Sequence, residues 1–299
     1  LSAKLIAEDQ DKLTADVEKL GDPHRGEMIY RRKALACTAC HAVGLAGPAI
    51  GPNLVAVGAA ASAEYMVESI LKPNAAIAEH YENRLFTLAD GTVQMGVITF
   101  KSEKEIVVRD SAQGGKEVRI PAADIAREQV VPSLMPAGLA DQLKSRQEFL
   151  DLSKFLSVLG RPGDFANDES PVLRKWRIAG GAVDADVKEI ATWMPAYSKV
   201  DGSLPDVELN PLGDHVFVRS VVDILVAGPV TLDIESTTGI RVWNNDTEIK
   251  DLSAPIDFAK GKATLTFAID RTSRGEKGLR VELKSTAGSP AKYQPEGGM

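Results

Sequence analysis

Cysteine and histidine are scarce in this chain, with two of the first and four of the second among 299 residues. Cys37 and Cys40 are the only cysteines, so a four-cysteine zinc site is excluded. His24, His80 and His215 stand at no metal-like spacing from them. No run of about 18 apolar residues occurs, which excludes a membrane-spanning helix. There is no nucleophile–histidine–acid set, no phosphate-binding glycine loop and no carboxylate pair with hydrolytic spacing. No aspartate cluster has the spacing of a calcium loop. The net charge of -7 argues against nucleic acid as a partner. Hydrophobic residues make up 44% and charged residues 26%, the balance of a soluble globular chain, and the length suits two domains.

Against these absences stands Cys37-Thr38-Ala39-Cys40-His41. Two cysteines separated by two residues and followed at once by histidine form the attachment signature of a c-type haem. Thiols at i and i+3 lie on one side of a helical turn and can add to the two vinyl groups of one porphyrin. The adjacent histidine is then placed as the proximal iron ligand. A redox dithiol would call for a βαβ context, and none surrounds the motif. A disulfide across two intervening residues would be strained. Gly51-Pro52-Asn53-Leu54 follows ten residues after His41. A Gly-Pro turn there predicts that the Pro52 region offers a backbone carbonyl to Nδ1 of the imidazole, leaving Nε2 for a metal.

An electron carrier needs a sixth ligand, commonly a thioether. Met28 is too near the attachment turn to reach the opposite face, Met66 falls on the apolar stripe of a helix, and Met95 lies in a strand pattern. Met194 and Met299 are far along the chain. Met135 sits between Pro132 and Pro136, in a stiff loop that precedes a helix, and is the favoured candidate. His80 is the alternative, giving a bis-histidine site. Arg25, Arg31, Arg32 and Lys33 precede the cysteines with only Glu27 opposing them. They form either a basic collar that steers an acidic partner or an ordinary solvated face.

Residues 1–20 read as one amphipathic helix, 24–42 as a helix running into the cysteine turn, 63–71 as a helix capped by Ser62, and 145–159 as a last helix. Between them the period changes to two, predicting strands at 84–88, 94–100, 105–109 and 117–120. Arg161-Pro162-Gly163-Asp164 is a linker. Beyond it, strand patterns at 215–224, 230–234, 240–243, 263–269 and 279–283 predict a β-sandwich of jelly-roll type. Trp243 before Asn244-Asn245 is either a ligand-bearing hairpin position or a hairpin anchor, and the same alternatives apply to Trp176 and Trp193.

Residues 20–160 resemble the planctomycete and verrucomicrobial haem-binding domain family of c-type cytochromes. The resemblance rests on Gly21-Asp22-Pro23 with Arg25-Gly26, on Cys37–His41, and on Gly51-Pro52-Asn53-Leu54. It continues through Ser69–Asn74, Leu88-Ala89-Asp90-Gly91, Ile120-Pro121 with Asp124-Ile125, and Ser133-Leu134-Met135-Pro136. It implies that Cys37 and Cys40 hold one covalent haem c, that His41 is proximal, and that Met135 is distal. The second half is similar in pattern to carbohydrate-binding β-sandwich modules.

The fold expected is α+β and multidomain. It has an N-terminal amphipathic helix at 1–20, then an all-α cytochrome c core at 21–160 with a small antiparallel β insertion at about 84–128. A jelly-roll-like β-sandwich at 164–299 completes it. The function expected is electron transfer without turnover chemistry, between exported redox proteins such as a dehydrogenase and a downstream cytochrome or oxidase. Glycan is a further expected partner, through the second half. The alternatives are a peroxidase-like haem enzyme with an open distal site, and a carbohydrate-binding module carrying a haem relay. Haem is attached outside the bacterial cytoplasm, so a periplasmic or otherwise exported location is expected. A removed export signal or an upstream exported domain would go with it.

Overall fold

The chain divides into two units, residues 1–167 and 168–299. The computed structural model describes residues 1–166, 170–182 and 186–296. The helices of the first unit are α1 (Ser2–Ala7), α2 (Gln10–Leu20), α3 (Pro23–Tyr30), α4 (Cys37–Cys40), α5 (Val57–Ala60), α6 (Ala63–Leu71) and α7 (Arg146–Val158). Four of them begin at a polar side chain. Asp9, Asp22, Ser62 and Ser145 each accept a hydrogen bond from the backbone N–H three residues on. Each thereby satisfies a donor that its helix leaves unpaired, worth about 1 kcal/mol apiece.

The tightest helix pair is α3 on α7. Gly26 makes it possible: a methyl group at its Cα would stand 2.0 Å from the Asp151 carbonyl oxygen. Around that contact the Arg25 guanidinium binds the Asp151 carboxylate through two nitrogens at 2.8 and 3.0 Å. The Asp22 backbone N–H donates to the same carboxylate at 2.8 Å, and the Tyr30 and Phe155 rings meet at 5.5 Å.

Five strands follow α6: β1 (Asn83–Leu88), β2 (Val93–Lys101), β3 (Glu105–Asp110), β4 (Lys116–Pro121) and β5 (Ile125–Val130). They pair antiparallel in the order β4-β3-β2-β1-β5. Alternation places Phe86, Ile106, Val108 and Ile120 together in a small core on one face. The opposite face carries Asn83, Val97 and Arg109 in one cross-strand row.

The all-α core expected from the sequence does not form. The chain is mostly β, with 33% strand and 26% helix, three antiparallel sheets and only short helices. The reason lies in the breaks. The expected helix over 1–20 splits because Asp9 caps a new helix at Gln10. The one expected over 24–42 stops at Arg31. It gives way to a 3-10 turn at Lys33–Leu35, and then to Ala36 in the left-handed region, φ 53. Among the described residues no helix is long and apolar enough to cross a membrane.

The second unit contains β6 (Lys175–Gly180), β7 (Met194–Tyr197), α8 (Asp206–Leu209), β8 (His215–Val226), β9 (Gly228–Ile234), β10 (Ile240–Asn244), β11 (Thr247–Ile249), β12 (Ile256–Phe258), β13 (Gly261–Asp270), α9 (Arg271–Arg274), β14 (Val281–Ser285) and β15 (Lys292–Pro295). One sheet runs β11-β10-β13-β8-β6-β7 with β15 also on β8, and the other runs β12-β9-β14. Their inner faces share one core that includes Trp176, Val218, Leu232, Phe267 and Val281. This is a β-sandwich of seven strands against three. The jelly roll expected, with eight strands in two sheets, is therefore also corrected. The strands β6, β7, β11 and β15 enlarge one sheet, and the other keeps only β12, β9 and β14.

Candidate functional site

The cysteine turn is α4. Both thiols are reduced and partly buried, with Cys37 and Cys40 one helical turn apart. Burial pushes the Cys37 thiol up to about 11 and raises that of Cys40. Both sulfurs are therefore protonated at neutral pH.

His41 is held from three directions. Its backbone N–H donates to the Cys37 carbonyl at 2.9 Å, and its own carbonyl accepts from the Tyr30 hydroxyl at 2.9 Å. Its ring Nδ1 lies 2.9 Å from the Pro52 carbonyl oxygen. A carbonyl only accepts, so Nδ1 carries the proton and Nε2 keeps its lone pair. Burial lowers the imidazole's affinity for a second proton, and this outweighs the opposite pull of the Pro52 carbonyl.

Gly51 lies flat against the ring. A methyl group at its Cα would stand 2.8 Å from Cε1 and 2.9 Å from Nδ1. The Gly51 N–H donates to the Cys40 carbonyl at 2.7 Å, which ties this loop to the cysteine turn.

A cavity of about 300 Å³ opens beside these residues, within the size range of sites for small organic ligands. Cys37, Cys40, His41, Pro52, Met66 and Met135 all border it. The rest of its wall is apolar or hydroxyl-bearing, and among the described residues no Lys, Arg, Asp or Glu borders it.

The Met135 loop is fixed at several points. The Met135 N–H donates to Ser133 Oγ at 3.2 Å, the Ser133 N–H donates to Asn74 Oδ1 at 2.8 Å, and Asn83 Nδ2 donates to the Pro132 carbonyl at 3.1 Å. Met66, only 3% exposed on α6, is a second thioether on the same wall.

The other candidates lie elsewhere. Met28 and Met95 are exposed and do not border the cavity. Met194 is in the second unit, and Met299 lies outside the described residues. His80 is exposed beside Glu79 and does not border the cavity. His24 pairs with Asp164, and His215 lies near Asp270.

The basic collar is largely neutralised, since Arg25 binds Asp151 and Arg32 binds Glu148 at 2.7 Å. Trp176 is a core residue that donates to Ser198 Oγ at 2.9 Å. Trp193 and Trp243 each have one ring face covered by an arginine of this chain, Arg219 at 4.1 Å and Arg241 at 4.8 Å.

The cysteine turn, His41 and the Pro52 carbonyl are local in sequence and readable there. Tyr30, Asn83 and Arg109 gave no such signal as supports of the site, and Gly51 showed only as part of the Gly-Pro turn. Asn74 showed only as part of the Ser69–Asn74 segment.

The arrangement offers two thiols on one turn, one neutral imidazole with a free Nε2, and thioether sulfurs, all around an apolar volume. Among the described residues no three His, Cys, Asp or Glu side chains converge to hold a bare metal ion. Compared with protein-family profiles and with curated proteins, the chain matches none of them.

Proposed function

We propose that the first unit binds one haem c covalently and passes single electrons between exported redox proteins. The observation that carries this reading is the convergence of Cys37, Cys40, His41 and Met135 on one apolar cavity. Cys37 and Cys40 would hold the group as thioethers, each S–H adding across one vinyl double bond, sulfur to one carbon and hydrogen to the other. That addition needs no oxidant, and the protonated thiols supply the hydrogen. His41 Nε2 would be the proximal ligand, with its tautomer fixed by Pro52, and Met135 the distal one. The bound group supplies reversible one-electron exchange at iron. The apolar wall excludes water and favours the less charged form, while Tyr30 and Gly51 hold His41 in place.

A peroxidase-like site would use a distal histidine or arginine. Among the described residues, His41 is the only histidine on the cavity wall and no arginine borders it. The partners proposed are a dehydrogenase as donor and a downstream cytochrome or oxidase as acceptor, in the periplasm or another exported space.

The test is production in a host that matures c-type cytochromes. A coloured protein heavier by one haem is expected, with a weak near-red sulfur-to-iron band that Met135→Ala removes. A colourless product of unaltered mass would overturn the proposal.

A further inference from the structure

One row of the five-stranded sheet is tied at its two ends to two loops that border the cavity. Asn83 of β1 pairs with Val97 of β2, and Val97 pairs with Arg109 of β3. Residues directly opposite one another on antiparallel strands share a face. At one end of the row, Arg109 Nη1 donates to the Ala49 carbonyl at 2.7 Å. Ala49 lies three residues before Pro52, the residue that holds His41 Nδ1. At the other end, Asn83 Nδ2 donates to the Pro132 carbonyl at 3.1 Å, three residues before Met135. The Asn83 carbonyl also accepts the Val131 N–H at 3.0 Å. Val97, in the middle, borders the cavity and is 3% exposed. Two loops that border the cavity therefore hang from the two ends of one three-strand row. The sheet fixes that row's width at two strand spacings, about 10 Å.

We propose that the Asn83–Val97–Arg109 row sets the separation between the 49–52 loop and the 132–135 loop, and so decides whether the Met135 sulfur reaches a metal held by His41. The inference rests on the reading of His41 and Met135 as an axial pair. Asn83 and Arg109 are positioning residues, since neither borders the cavity. Asn83 is buried, 3% exposed, and its Oδ1 has no partner while its Nδ2 is engaged. A buried amide held by one end is costly to keep, and its service here is to hold the Pro132 carbonyl. Asn74 gives the distal loop a second anchor through Ser133. Loss of the Asn83 bond therefore loosens the loop without freeing it.

The experiment uses the full matured chain and four variants: Asn83→Ala, Arg109→Gln, Arg109→Lys as its rescue, and Arg119→Gln as a control. Arg119 is on the same sheet but pairs only with the Glu105 carboxylate, at 2.7 Å. Two quantities are read: the near-red sulfur-to-iron band with cyanide binding by the oxidised protein, and backbone amide exchange at residues 49–52 and 132–135.

Asn83→Ala and Arg109→Gln should keep their covalent haem, weaken the band, and bind cyanide roughly fivefold to tenfold faster, the factor expected for losing one hydrogen bond. Amide exchange should rise by a similar factor near Met135 in the first variant and near Gly51 in the second. Arg119→Gln should change neither quantity, and Arg109→Lys, which keeps a donor of nearly the arginine's reach where the glutamine amide falls short, should restore both. Should Asn83→Ala fail to fold, Arg109→Gln and its rescue by lysine decide the matter alone. Unchanged exchange and an unchanged band in both variants would overturn the role of the row. An unmutated protein that takes up no haem would instead overturn the functional reading, and the exchange measurement would still decide whether the row spaces the loops.

Discussion

Gly26 of α3 rests directly on the backbone of Asp151 in α7, so close that a β-carbon on the glycine would come within 2.0 Å of the Asp151 carbonyl oxygen. The clash is with backbone and cannot be relieved by a rotamer change. Gly26→Ala should therefore drive the two helices apart and cost about 3 kcal/mol. Denaturant unfolding of the first unit checks this. A loss under 1 kcal/mol would show that the crossing is looser than described.

The Asp151 carboxylate gives this crossing a pH dependence. Burial alone would raise it, but the Arg25 guanidinium, the Asp22 amide and the Gln147 side chain outweigh burial and hold it below its ordinary value of 3.8. A carboxylate with a depressed pKa stabilises the fold above the unfolded value and loses that contribution as pH falls through the folded one. The unit should thus be destabilised by acid below about pH 3.8, and Asp151→Asn should flatten that part of the curve. At neutral pH the same substitution should cost about 2 kcal/mol through the lost charge-assisted bonds. Melting temperature against pH for both proteins is the measurement.

Gly51→Ala places a methyl group 2.8 Å from the His41 ring. The ring must turn or the loop must withdraw, and either breaks the 2.9 Å contact between Nδ1 and the Pro52 carbonyl. The unmutated protein should show a slowly exchanging His41 Nδ1 proton by NMR, and that signal should disappear in the variant while α3 and α7 stay protected. Retention of that signal would mean that Gly51 does not support the ring.

Met66 and Met135 border one cavity, and their substitutions should separate them. Met135→Leu should abolish the sulfur-to-iron band of the matured protein. Met66→Leu should keep it and cost less than about 1.5 kcal/mol, as a volume-conserving core change does. The opposite pattern would move the distal ligand to α6.

The sequence made local features legible and long-range ones obscure. Ser62 caps the helix it was expected to cap, and alternation located β1 to β4 to within a residue or two. The fifth strand, Ile125–Val130, was hidden because Arg127, Glu128 and Gln129 interrupt its apolar pattern. β7 was hidden by Pro195, which a strand tolerates only at an edge, where β7 lies. Periodicity assigned Met66 to the core, and the stripe that faces a core also faces a cavity within it. Nothing in local pattern links Arg109 to Ala49, sixty residues away, or Asn83 to Pro132, forty-nine away. The all-α expectation failed on this same point. Val97 borders the cavity and the 49–52 and 132–135 loops are both tied to the sheet, so the strands are part of the cavity's wall and support.

Leu152 and Leu156 of α7 are the last residues along the chain to join the wall that Cys37 and Cys40 share. A nascent chain leaving a ribosome or translocation pore with its amino end first presents both sulfurs more than a hundred residues before that wall is synthesised. Through that interval the thiols are open to solvent. Once α7 docks, they are shielded and hard to ionise. On the reading of Cys37 and Cys40 as attachment points, the window for their modification therefore precedes closure, and a variant that slowed the docking of α7 would lengthen it.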